Sequence, residues 1–546
     1  MPRSRRAMAL ELVSAWRDAG TSLVFGVPGG GSNLDVVGTV YECGMRFVLA
    51  HSETAAAVMA GVTGELTGAP GACVVTRGPG TASAVNGVAQ ALLDRQPMVV
   101  VADCVGASER DRVSHQRIDQ LALMAQVTLA SVAFGGESDA LPRAIVARAL
   151  GPRPGPVHVD FDPTAPSGVL IPEPAVRSRR DLGQLSDLIR EARHPVVVAG
   201  VGTRAHGRAV ARDVALALGD LGDRTGVPIL STYKARGIVG DRARFSAGVM
   251  TGATIEAPVL DAADLVIGVG LDPVELIPAS WAYGAEVVLI GSWPVDDSSY
   301  FGASLRGEIV GECTDLAAIV HELADVLSAT WEPGAGQRFR RAALDELAAA
   351  VPAADGALTP LDVVRTARAA SPASTIATID AGAHMLLAVP FWEVDEPGAL
   401  LISNGLATMG FALPAAIAAA LVEPERHVVC FTGDGGLGMT LAELETLARL
   451  DLPVVVVVFN DSTLSLIAAK QSSEGHGGDD AVRYRTTDFA AIARGCGMWA
   501  ESIADVDAFD AMMRAALARR GPALLDVAVD PSGYPAVLDA IRGPRR

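Results

Sequence analysis

The stretch CFTGDGGLGM, residues 430–439, sets a lone aspartate among four glycines directly behind the apolar run HVVCF (427–431). Downstream, the helical pattern TLAELETLARL leads to a second apolar run, PVVVVVF, which ends in NDST (460–463). Strand, glycine turn, helix and strand make one βαβ unit of a parallel sheet. Both strand ends carry carboxylates, so Asp434 and Asp461 face the same sheet edge. Ligands of parallel α/β sheets bind outside the carboxyl ends of the strands, and glycines let backbone N–H groups approach a phosphate closely. Magnesium takes one or two carboxylates together with phosphate and carbonyl oxygens. The unit therefore reads as a metal–diphosphate cradle. Turn aspartates are common in βα loops, but a second carboxylate-bearing strand end at this spacing favours the cradle.

The same alternation fills the chain, as in SLVFGV (22–27), RFVLA (46–50), ACVVT (72–76) and PMVVVAD (97–103), each followed by a polar or glycine-bearing turn and an alanine-rich stretch. A chain of 546 residues is too long for one core. Two Pro-, Gly- and Arg-rich stretches, 166–180 and 331–341, read as linkers and delimit three domains, 1–165, 181–330 and 342–546. The first and third end alike, in GPVHVDFDP (155–163) and GPALLDVAVDP (521–531), which points to two related α/β domains flanking a third. The middle piece carries PVVVAGVGTRAHGRA (195–209); its GxGxxxxG spacing departs from the dinucleotide fingerprint and reads as a tight βα turn.

A net charge of −19 argues against a nucleic-acid or anionic-membrane surface and for small-molecule partners. The apolar runs are too short to span a bilayer, and Glu11 and Arg17 interrupt any signal-peptide core. Cys43, Cys73, Cys104, Cys313, Cys430 and Cys496 lie far apart with no CxxC pair, as expected of reduced thiols in a cytoplasm. Only Lys234 and Lys470 among the basic residues are lysines, so each invites a reason.

GDGG, a helix, a strand and FNDST together resemble the signature of thiamine-diphosphate enzymes, in particular the acetohydroxyacid (acetolactate) synthase large-subunit group. The resemblance runs along the chain through FGVPGGGSNLDV (25–36), TRGPGTASAVNG (76–87), TYKARGIVGD (232–241) and SNGLATMGFALPAAI (403–417). It implies an α/β fold of three domains, in which two related parallel-sheet thiamine-diphosphate-binding domains flank a Rossmann-like middle domain. By that resemblance Asp434 and Asp461 hold Mg2+ through their side chains and Thr463 through its carbonyl; Asp461 departs from the asparagine usual there. Gly382, Ala383, His384, Gly433, Gly435 and Gly436 would surround the diphosphate. Ala407 and Met409 would hold the aminopyrimidine edge, with the Met409 side chain as the prop that bends the cofactor.

The proton switch implied by the resemblance is Glu53, in the first turn of an alanine-rich helix, where the helix dipole alone also favours a glutamate. Glu53 in the first domain and Asp434 in the third imply sites assembled from two subunits of a homodimer or homotetramer. The implied reaction is decarboxylation of a small 2-oxo acid such as pyruvate, with capture of the enamine by a second carbonyl and the cofactor as electron sink. Gly30 and Thr76 replace the serine and histidine of simple decarboxylases, which favours ligation; a non-ligating 2-oxo acid or acyl-CoA decarboxylase and a catalytically silent paralogue stay open. Gln116 is placed in the donor pocket or on a surface helix. Lys470 falls where the synthases carry an acceptor-selecting tryptophan, so it is either a solvated lysine or a cation for an anionic substrate. GVGLDPVELIP (268–278) lacks the arginine-bearing pattern associated with FAD, which leaves FAD an open second cofactor.

Overall fold

The apolar runs form three six-stranded sheets, every strand parallel to its neighbours, in a computed structural model that describes residues 4–135, 140–164, 166, 182–276, 281–295, 298–353 and 357–543. Across the first sheet the strands run Arg46–Leu49, Leu23–Val27, Gly71–Val75, Met98–Asp103, Pro156–Phe161 and Ala130–Phe134. Across the third they run Leu400–Ile402, Ile376–Ile379, Val428–Gly433, Val454–Asn460, Ala523–Ala528 and Trp499–Ile503. Both sheets follow one order, second strand, first, third, fourth, sixth, fifth. The matching endings seen in the sequence, around 155–163 and 521–531, fall on the same strand of each.

The middle sheet has a different order: Leu305–Val310, Glu286–Gly291, Leu265–Val269, Pro195–Ala199, Ile229–Thr232, Ser246–Met250. Its strand order reverses between Pro195–Ala199 and Leu265–Val269, as in a Rossmann-like fold. The chain divides into two compact units: Met1–Ala175 with Ala205–Gly207 and Ile417–Val422, and Val176–Arg204 with Arg208–Ala416 and Glu423–Arg546. The first holds the first sheet and the second holds the other two. Central strands such as Val428–Gly433 and Val454–Asn460 are buried along nearly their whole length, which parallel sheets covered on both faces require. Among the described residues no helix is long and apolar enough to cross a membrane.

Two local expectations are corrected. Residues 331–341 are not a linker throughout: a helix, Ala335–Ala349, starts behind Gly334, which takes the left-handed φ of 74°. Its Arg340 is buried, with the guanidinium 3.5 Å from Asp241 and 3.3 Å from Glu393. An arginine that looks solvated in the sequence is a buried ion-pair member. The other candidate linker, 166–180, lies outside the described residues apart from residue 166. A helix also begins earlier than the expected TLAELETLARL, inside TGDGG. The strand ends at Gly433 and the helix Asp434–Thr440 begins at once.

Candidate active site

Asp380, at the end of the strand Ile376–Ile379, organises the third sheet's edge. Its Oδ1 accepts from the Phe411 amide at 3.0 Å, and its Oδ2 from the Gly410 amide at 3.1 Å and the Thr432 hydroxyl at 3.0 Å. One buried carboxylate thus ties the Ala407–Met409 loop to the TGDGG strand end. Burial pushes its pKa up to about 6 against these hydrogen bonds. A Cβ on Gly436 would overlap Asp380 Oδ2, so that glycine is the condition for the brace. Asp380 is a site residue that reading the sequence did not single out; an aspartate closing the run STIATID was the available signal.

Gly433 pairs with Phe459 across adjacent parallel strands, so Asp434 and Asp461 leave the sheet as neighbours. Asp434 Oδ1 accepts from the Gly435 amide at 2.6 Å, while Oδ2 is buried without a hydrogen-bond partner. Asp461 accepts from the Thr463 amide at 3.0 Å and the Ser465 hydroxyl at 2.6 Å. Burial and then the charge of Asp434 push Asp461 up to about 6; Asp434 is raised too, chiefly by burial. The Thr463 carbonyl already accepts from the Ser465 amide at 2.9 Å and keeps its second lone pair. A buried carboxylate with an orphaned oxygen beside a half-buried one is the donor set a divalent cation neutralises. The residues therefore fit magnesium.

They also fit a diphosphate. Gly382, Ala383, His384, Gly433, Gly435 and Gly436 line one cavity with Asp434, Asp461, Thr463, Ala407 and Met409, and it encloses about 960 Å³ counting its mouth. His384 is buried and stacks on Phe459 with ring centroids 5.0 Å apart; burial holds its pKa down to about 4, so the ring is neutral. Its Nε2 is buried without a partner. A Cβ on Gly382 would lie 2.7 Å from that ring, so the glycine admits it. The Met409 side chain folds over Gly435, its Cε 3.3 Å from where a Cβ would stand. Ala407 and Ser462 both take a left-handed φ, 52° and 58°, rare for non-glycine residues. Such strain clusters at ligand sites.

Lys470, on the helix Ser465–Glu474, is exposed and lines the same cavity beside Leu466 and Ile467. Tyr534 and Arg542, from the helix Tyr534–Arg542, complete the wall. Neither is legible in the sequence, because nothing near them marks a site. The other lysine, Lys234, is buried and donates to the Ile402 carbonyl at 3.1 Å.

The first unit gathers a second cluster. Glu53 opens the helix Glu53–Thr67, which Ser52 caps by accepting from the Ala55 amide at 3.1 Å. A Cβ on Gly80 would stand 3.1 Å from Glu53 Oε1, and one on Gly29 would collide with the Thr76 side chain. The two nominated loops, 25–36 and 76–87, therefore meet beside Glu53. Gln116, at φ 57°, packs its backbone against Gly78 and lines a separate cavity with Cys104, Arg117 and Asp160. Gln116 is thus a loop residue, not one on a surface helix. Gln120 holds this corner, accepting from the Gly78 amide at 2.6 Å and donating to Asp160 at 2.6 Å.

The middle sheet's crevice is filled from within. At the reversal of strand order, where a dinucleotide would lie, the Glu275 carboxylate accepts from the Val201 amide at 2.7 Å and the Thr232 hydroxyl at 2.5 Å. The Gly202 amide donates to the Gly270 carbonyl at 2.8 Å. A Cβ on Gly200 would stand 2.6 Å from Glu275 Oε2. The amides that a phosphate would use already have partners, so the residues do not fit a flavin dinucleotide there.

Comparison with known proteins agrees with this geometry. Residues 8–123 match the thiamine pyrophosphate enzyme N-terminal TPP binding domain, residues 182–301 its central domain and residues 380–527 its C-terminal TPP binding domain. The chain belongs to the thiamine pyrophosphate enzyme family and is a thiamine-diphosphate-dependent enzyme. It is 28% identical to the acetolactate synthase of Bacillus subtilis (strain 168) over 94% of this chain and 91% of that one. It is also 28% identical to the acetolactate synthase isozyme 2 large subunit of Escherichia coli (strain K12), over 95% of each. A probable acetolactate synthase large subunit of Methanocaldococcus jannaschii is 26% identical over 95% of this chain and 91% of its own.

Proposed function

We propose that this chain, with thiamine diphosphate and Mg2+, decarboxylates a small 2-oxo acid, pyruvate first among them, and ligates the remaining fragment to a second carbonyl. The observation that carries the proposal is the Asp434–Asp461 pair, with its orphaned buried oxygen, in a glycine-lined cavity that also presents Lys470. The bound cofactor supplies the electron sink for cleaving and forming bonds next to a carbonyl. Asp434, Asp461 and the Thr463 carbonyl hold the metal. Gly382, Ala383, Gly433, Gly435 and Gly436 leave room for the diphosphate beside the neutral His384. Ala407 and Met409 orient the ring edge, and the Met409 side chain props it.

Glu53 holds and returns a proton at the aminopyrimidine nitrogen. We infer that it does so for the site of a partner copy, in a homodimer or a tetramer built from such dimers. Gln116 contacts the donor substrate. Lys470 offers a cation to an acceptor carboxylate, and Gly30 and Thr76 provide no side-chain acid to protonate the fragment before it is transferred. No flavin is assigned, because Glu275 occupies the crevice. The free cysteines support a reducing cytoplasm as the compartment.

The test is carbon-13 NMR of the holoenzyme with labelled pyruvate. A new carbon–carbon bond between two labelled fragments is expected. Acetaldehyde as the sole product would move the chain to the non-ligating decarboxylases, and unchanged pyruvate would leave it a silent paralogue.

A further inference from the structure

The loop that carries Ala407 and Met409, 403–410, springs from a weak element. Its incoming strand, Leu400–Ile402, is three residues long and lies at the edge of the third sheet, paired only with Ile376–Ile379. The Ala377 amide donates to the Ala399 carbonyl at 2.9 Å, so by the alternation of a strand the Leu400 and Ile402 carbonyls face the open edge. The loop also holds Ala407 at its left-handed φ of 52°. Such a conformation persists only where its surroundings over-determine it. Asp380 fixes the outgoing end through the Gly410 and Phe411 amides.

The incoming end is fixed from the middle domain, within the same compact unit. Just behind the strand Ile229–Thr232, the Lys234 ammonium donates to the Ile402 carbonyl at 3.1 Å and stands 6.0 Å from the centroid of the Phe411 ring. One side chain thus reaches both feet of the loop. The Arg204 guanidinium donates to the Leu400 carbonyl at 3.3 Å and also to the Lys234 carbonyl. Inside the loop, the Asn404 side-chain amide donates to the Glu275 carbonyl at 3.1 Å. Lys234 is 1% exposed. Burying an ammonium costs more than burying a methionine of similar length. What the charge adds here is N–H donors for an edge that has no further strand to pair with.

We propose that Lys234 is a positioning residue for the cofactor: it holds both ends of the 403–410 loop and thereby sets where Ala407 and Met409 meet the aminopyrimidine edge, with Asn404 as a second tie. The middle domain, its own crevice filled by Glu275, serves the reaction by supporting this loop. The inference rests on the assignment of Ala407 and Met409 to the ring edge.

The experiment compares thiamine diphosphate with inorganic diphosphate, each with Mg2+, by titration calorimetry on wild type, Lys234→Met, Asn404→Ala and Met409→Ala, and follows hydrogen exchange of the peptide 403–411 by mass spectrometry. Lys234→Met should bind thiamine diphosphate about tenfold more weakly, the loss of one hydrogen bond from a charged donor. It should bind inorganic diphosphate as the wild type does, because the Asp434–Asp461 cradle is untouched. Without cofactor its 403–411 peptide should exchange about tenfold faster, while the strand Val454–Asn460 exchanges as before. Asn404→Ala should move the same readouts in the same direction, and it carries the test should Lys234→Met fail to fold. Equal loss of both ligands would overturn the proposal, as would unchanged thiamine diphosphate affinity and exchange beside a weakened Met409→Ala. Unchanged thiamine diphosphate affinity in Met409→Ala would instead overturn the ring-edge assignment, and the proposal with it.

Discussion

Asp461 stands beside Asp434 at the ends of two neighbouring parallel strands, and burial together with the Asp434 charge pushes it up to about 6. The metal-free pair is therefore electrostatically frustrated, and a divalent cation relieves it. Asp434→Ala removes the orphaned oxygen and the cation's anchor. It should abolish magnesium-dependent binding of thiamine diphosphate while leaving a diphosphate-free thiamine analogue bound nearly as in the wild type. Titration calorimetry with both ligands checks this, and equal loss of both would mean that the fold had failed.

The sign of the metal-free pH dependence follows from the same pair. A carboxylate raised from 3.8 to about 6 on folding contributes stability that is fully present below the lower value and lost as pH rises through the upper. Metal-free wild type should lose melting temperature between pH 4 and pH 7 more steeply than Asp461→Asn, which cannot ionise. The variant should gain about 2 kcal/mol at pH 7 relative to its standing at pH 4. Parallel slopes would show that Asp461 is not held in its protonated form.

Glu275 allows a similar test in the middle domain. Burial raises it from 4.5 to about 8, so its contribution is lost as pH rises through about 8. Glu275→Gln should flatten that decline, and the purified wild type should carry no flavin absorbance and gain none on incubation with FAD. Stoichiometric flavin binding by the wild type would contradict a filled crevice.

Lys470→Met keeps the side chain's length and deletes its charge. If the cation receives an acceptor carboxylate, the variant's KM should rise about tenfold or more for a carboxylate-bearing acceptor and little for a neutral aldehyde, since only the former loses a charged partner. High salt should shrink the difference at this exposed wall. An unchanged preference would return Lys470 to solvent.

The fold was legible because parallel strands buried on both faces read as unbroken apolar runs; Val428–Gly433 and Val454–Asn460 stood out for that reason. Strand ends showed the carboxylates directly. What stayed hidden depended on distance in sequence. Tyr534 and Arg542 reach the cavity only because their helix packs back on it, and Asp380 acts by receiving amides from loops that no local pattern connects to it. The arginines of 331–341 misled for the opposite reason, since burial of Arg340 depends on Asp241 a hundred residues away in the folded second unit.

The reaction proposed for this chain turns on Glu53 activating thiamine diphosphate. The most direct measurement is the rate at which deuterium from solvent replaces the cofactor's C2 proton in the holoenzyme and in Glu53→Gln, with bound cofactor quantified in both. Wild type should exchange at least about a hundredfold faster than the variant, with cofactor binding nearly equal. Equal exchange rates at equal occupancy would contradict the claim.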